Sequence, residues 1–155
     1  MNDSFDAFLQ EMQDRIYEET RQEFGEKVYQ RWRNPLHMGA MHDANGQATV
    51  KGTCGDIMEI FLKFDDNRVV NASFETDGCG PSVVCGSYAA EMALGKTPDE
   101  VFEITGPSIL AELGGLPQDH EHCAFLAAGS LRAAVDDYMI RQTRKSKTTA
   151  PEKGE

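Results

Sequence analysis

The sequence predicts an α+β fold: a small antiparallel three-stranded sheet covered on one face by helices, with an extra helix at the N-terminus. Three observations carry that expectation. Strand-like segments run together from Ala48 to Thr76, helix-like segments run together after Cys79, and Ser4 to about Arg33 is rich in helix formers. With 155 residues and 40% apolar content, the chain suffices for one ordinary core. Three divisions are expected: a helical extension over 1–23, a main domain over 24–141, and a disordered basic tail over 142–155.

In the first segment Phe5, Phe8, Leu9, Met12 and Ile16 recur at helical spacing, and Gly25 marks a break. The helix that follows stops at Asn34-Pro35, because the residue before a proline disfavours the α region. "NPLHMGAMHDANGQ" then reads as an irregular connection, with loop positions for His37 and His42. In "IMEIFLKF", Met58, Ile60, Leu62 and Phe64 alternate with Ile57, Glu59, Phe61 and Lys63. That is the period of a strand with one packed face, and Asp65-Asp66-Asn67 turns it into a hairpin with "VVNASFET".

Pro81 suits the first turn of a helix that runs from Gly80 to Gly95, and Thr97 with Glu100 spells a capping box for the next. "GPSILAELGG" is another short helix, begun by Pro107 and stopped by Gly114-Gly115. The last helix spans Glu121 to about Arg141. Leu126, Ala127, Leu131, Ala134, Val135, Tyr138 and Met139 form its apolar stripe, and Cys123 extends the stripe upstream. The segment "KSKTTAPEKGE" lacks the apolar residues needed to pack.

The net charge of -11 argues against nucleic acid as the main partner, since affinity for phosphate backbones comes largely from Lys and Arg. The charge is uneven, +3 from Arg141 onward and -14 before it. No segment approaches the roughly 20 apolar residues of a membrane-spanning helix, and acids stand where a secretion signal would carry bases, so a cytoplasmic protein is expected. In that reducing setting, four cysteines at 54, 79, 85 and 123 suggest metal or thiolate chemistry rather than disulfides.

Three of these cysteines sit where an element begins. Gly55 allows the backbone between Cys54 and Asp56 to bend so that a thiolate and a carboxylate point the same way, although a turn Asp beside a buried thiol is the plainer reading of that tripeptide alone. Cys79 lies between two glycines just before a helix, where unpaired N–H groups and the helix dipole favour an anionic ligand. His122-Cys123 repeats that placement at the last helix. Cys54, Asp56, Cys79, His122 and Cys123 thus make five candidate ligands where tetrahedral iron or zinc takes four. Cys85, among small residues, reads as a buried structural thiol, and His120 as a solvated loop residue. No CxxC spacing supports a zinc finger or a thioredoxin-like site.

Taken together, "EKVYQRWRNPLHMG", "CGD", "FETDGCG", "GKTPDEV", "ELGGLP" and "HCAFLAAGSLRAAVDDY" make the chain resemble the IscU/NifU N-terminal family of iron–sulfur cluster assembly scaffold proteins, from about residue 24 to residue 138. The resemblance implies a scaffold, not an enzyme, that receives sulfur from a cysteine desulfurase and iron from a donor, assembles a 2Fe–2S cluster and transfers it to recipient apoproteins. It places the metal ligands on Cys54, Cys79 and Cys123, with Asp56 or His122 as the fourth, and makes Cys123 the first acceptor of persulfide sulfur.

The chain departs from the family in places. "LPQDH" stands where a Leu-Pro-Pro-Val-Lys chaperone-recognition motif is common, which puts handover through the dedicated Hsp70-type chaperone in doubt. Pro81 and Cys85 replace small residues. The extension over 1–23 could cover the desulfurase-facing end, pair two subunits as a homodimer, or stand inert in solvent.

The zinc-bound SufU branch, a sulfurtransferase partner of a cysteine desulfurase, is the alternative. It typically carries an insertion before the last cysteine and a basic residue in place of the histidine. His122 and the 43 residues between Cys79 and Cys123 place this chain nearer the scaffold branch. A regulatory zinc module, and an oxidoreductase using Cys79 and Cys85, are further readings.

Overall fold

The computed structural model describes the backbone of residues 2–154 apart from Cys54, and side chains over 3–145 apart from the same residue. Helices α1 (Asn2–Phe24) and α2 (Glu26–Arg33) come first, separated at Gly25, whose φ of 91° is one that a side chain would strain. Cation–π and edge contacts hold the pair together. Arg21 lies 4.4 Å over the Tyr29 ring, and Tyr17 meets the edges of Tyr29 and Trp32 at 6.2 and 5.8 Å. The stripe of Phe5, Phe8, Leu9, Met12 and Ile16 on α1 is exposed.

Strands β1 (Gly46–Lys51), β2 (Ile57–Asp65) and β3 (Arg68–Thr76) form one antiparallel sheet in the order β1-β2-β3. Asp65 pairs with Arg68, leaving Asp66 and Asn67 as a two-residue loop with φ of 53° and 62°. Positive φ at both central positions matches the twist of the flanking strands, and Asx residues tolerate it. A bulge falls between Lys63 and Phe64. Asn45 satisfies the freed backbone there, donating to Phe64 O at 2.8 Å and accepting from Phe64 N at 2.7 Å. The expected alternation holds for Met58, Ile60, Leu62 and Phe64, which are buried. Phe61, on the other face, is buried as well.

Helices α3 (Gly80–Ala93), α4 (Pro98–Phe102), α5 (Gly106–Leu113), a short 3-10 turn (Gln118–His120) and α6 (His122–Gly154) complete the chain. The core lies between the sheet and α3 with α6. Small residues let these elements approach closely. A Cβ on Gly86 of α3 would stand 2.5 Å from the Phe74 ring, and one on Gly46 of β1 would stand 2.7 Å from the Ala134 carbonyl of α6. Farther along α6, Tyr138 stacks on Phe64 at 3.9 Å.

The Thr97–Glu100 capping box forms as the sequence spells it. A second box, Thr105 with Ser108, starts α5, and its reciprocal acceptor is a serine rather than the usual Glu or Gln. The main difference from expectation concerns the C-terminus. Residues 142–154, expected as a disordered tail, carry helical backbone continuous with α6, and Glu155 lies outside the described residues. Good helix formers at Arg141, Gln142, Arg144 and Lys145 allow the helix to continue beyond the end of its apolar stripe.

Candidate metal centre

Four of the candidate ligands converge at one end of the sheet: Asp56 from the β1–β2 connection, Cys79 from the β3–α3 connection, and His122 with Cys123 from the start of α6. After β1 the chain turns sharply. Gly52 N donates to Asp56 O at 2.7 Å, and Gly55, with φ of 93°, donates to Gly52 O at 3.0 Å, so the left-handed glycine sets the direction of Asp56. The β3–α3 connection is stitched to the next residue of the same turn. Thr76 Oγ1 donates to Ile57 O at 2.6 Å, and Asp77 Oδ1 accepts from Ile57 N at 2.7 Å. These bonds hold Gly78 against the turn. A Cβ there would lie 2.6 Å from Ser82 Oγ and 2.9 Å from Asp56 Oδ2, so only glycine leaves room for both groups.

Cys79 is the N-cap of α3 and is exposed. Cys123, in the first turn of α6, is fully buried; its sulfur lies 3.3 Å from Ser82 Oγ and 3.7 Å from His122 Nε2. Ser82 Oγ is 3.2 Å from Asp56 Oδ2 and 4.0 Å from Cys79 Sγ. Asp56, Cys79, His122 and Cys123 therefore lie around one point near Ser82, which the sequence reading did not single out. Cys54, the remaining candidate, lies outside the described residues. Among the described residues, no three of His, Cys, Asp and Glu stand close enough to grip one ion as they are.

Cys85 packs behind the site, fully buried. Burial pushes its thiol well above the ordinary range, with smaller contributions from Cys123 and Cys79. It is expected to resist iodoacetamide in the metal-free folded protein while exposed Cys79 is alkylated, as read by peptide mass spectrometry. Equal labelling of the two would contradict this packing. His120, expected as a solvated residue, instead tilts its ring against Phe24 of α1 at 5.4 Å. Beside Cys79, an apolar cavity of about 180 Å³ opens between α1, α2 and the start of α3, with Phe24, Val28, Trp32 and Pro81 in its wall.

Fold and site together define a small α+β domain that gathers cysteine sulfurs, a carboxylate and an imidazole at one sheet end, residue types suited to iron or zinc. The family model for the NifU-like N-terminal domain matches residues 23–145, and the chain belongs to that family. The iron–sulfur cluster assembly scaffold protein IscU 1 of Archaeoglobus fulgidus is 40% identical over 125 residues, which cover 80% of this chain and 82% of that protein. The iron–sulfur cluster assembly scaffold protein IscU of Haemophilus influenzae is 35% identical over 124 residues, 77% of this chain and 98% of the relative. A crystal structure of the N-terminal part of a nitrogen-fixing NifU-like protein from Brucella abortus superposes with a TM-score of 0.59 at 19% identity, covering 74% of this chain and 92% of that one, a likeness of fold.

Proposed function

We propose that this protein is an iron–sulfur cluster assembly scaffold, which receives sulfur from a cysteine desulfurase, combines it with iron in a 2Fe–2S cluster, and passes the cluster to apoproteins. The observation that supports this most is the convergence of Asp56, Cys79 and the His122-Cys123 pair from three separate parts of the fold, in a chain of this family. Cys54, Cys79 and Cys123 would be the thiolate ligands and Asp56 or His122 the fourth. The cluster is cargo, so the protein acts as a scaffold rather than a turnover enzyme. A cytoplasmic setting suits the chemistry, because a reducing compartment keeps cysteines as thiols.

Sulfur arrives by exchange: the Cys123 thiolate attacks the outer sulfur of the desulfurase persulfide, forms a new S–S bond, and returns the donor cysteine as a thiolate. Reduction of that sulfur to sulfide then takes an electron pair from an external reductant. Since Cys123 is buried and Cys79 exposed, the groups around Cys123 have to move before a donor persulfide can reach it.

Anaerobic reconstitution with iron, cysteine and a desulfurase, followed by visible absorption, tests the assignment. A sulfide-containing iron chromophore is expected in the parent and in Cys85→Ala, and its loss in Cys54→Ala, Cys79→Ala and Cys123→Ala. Tightly held zinc with stimulated desulfurase turnover and no chromophore would replace the scaffold with a zinc-bound sulfurtransferase.

A further inference from the structure

Ser82 lies in the first turn of α3 and is fully buried. Serine at such a position commonly bonds the local backbone. Here the hydroxyl faces the ligand cluster instead, 3.2 Å from Asp56 Oδ2, 3.3 Å from Cys123 Sγ and 4.0 Å from Cys79 Sγ. A hydroxyl carries a single proton. It can donate to Asp56 or to Cys123, but not to both at once. The missing side chain at Gly78 keeps the space in which the hydroxyl and the carboxylate meet.

We propose that Ser82 is a positioning residue whose hydroxyl competes with metal for Asp56 and Cys123, a role that rests on the ligand assignment above. Before metal arrives, the O–H bond occupies the carboxylate. When Asp56 turns to a metal ion, the same proton is freed for the Cys123 sulfur, where it draws electron density away from the metal–thiolate bond. Both arrangements weaken the grip on metal, which suits a site that must release what it holds. The effect has a sign opposite to that of an orienting partner, whose removal ordinarily weakens metal binding.

Cobalt(II) alone, added anaerobically to the full chain, reads both consequences. Affinity is measured by competition with a chelator, and the thiolate-to-cobalt charge-transfer band by absorption. Ser82→Ala is expected to bind cobalt roughly tenfold more tightly, about the worth of one hydrogen bond to a charged group. Its charge-transfer band should also move to lower energy, because a thiolate with one donor fewer is easier to oxidise. Weaker binding, or a band that does not move, overturns the proposal while leaving the ligand assignment intact. A parent protein with no thiolate band at all removes the ligand assignment, and the role of Ser82 with it.

Discussion

Asp56→Ala should retain its assembled cluster roughly tenfold longer than the parent when challenged with an apo-ferredoxin, equivalent to about 1.4 kcal/mol in the barrier to release. The carboxylate is the hardest donor of the candidate set, and iron–sulfur iron prefers soft thiolate, so Asp56, serving as the fourth ligand, would be the one to leave most readily. Its mounting suits that role. Asp56 sits on a turn whose direction depends on one left-handed glycine, and Ser82 offers it an alternative partner at 3.2 Å. Loss of the visible chromophore, followed under anaerobic conditions against acceptor concentration, gives the rate. Faster transfer from Asp56→Ala would mean that the carboxylate secures the cluster rather than loosening it.

The second large effect concerns the support beneath the site. Phe74→Ala should lower unfolding free energy by about 3–5 kcal/mol, measured by denaturant titration of the metal-free protein. The ring is fully buried and lies against α3 where Gly86 has no side chain to displace it. The Phe74 backbone is engaged too, donating to His37 O at 2.9 Å and accepting from Gly39 N at 2.8 Å, so the irregular connection before β1 cannot easily collapse into the vacated space. A loss below about 1 kcal/mol would show that the cavity closes, contrary to this packing. Because Cys79 caps α3, loosening this contact should also broaden the positions available to that thiol.

Much of the fold was legible because its signals are local. Alternation in "IMEIFLKF", the Asp-Asn loop, the Thr97–Glu100 box and Gly25 each act within a few residues, and each forms in the structure. The second capping box is hidden in the sequence because Ser108 is an unusual reciprocal acceptor. The loop position of His120 suggests solvent, whereas its environment comes from Phe24, brought across from another helix. The apolar stripe of α6 ends near Arg141, yet helical backbone continues to Gly154. Apolar patterning reports where a helix packs, and backbone propensity can carry it farther.

The site divides in the same way. Side-chain chemistry and local backbone needs are written in the residues themselves, so the sequence alone determined which groups could bind metal, where glycine had to stand, and the family to which those motifs belong. Only the tertiary structure decided how the groups face one another: that Cys79 is exposed while Cys123 is buried, that Cys85 lies behind them, and that Ser82 stands between Asp56 and Cys123. The physical reason is distance along the chain. Contacts between residues 26 or 41 positions apart arise when helices and sheet bury their apolar faces together, and no periodicity in the sequence records which hydroxyl is carried into the space between them.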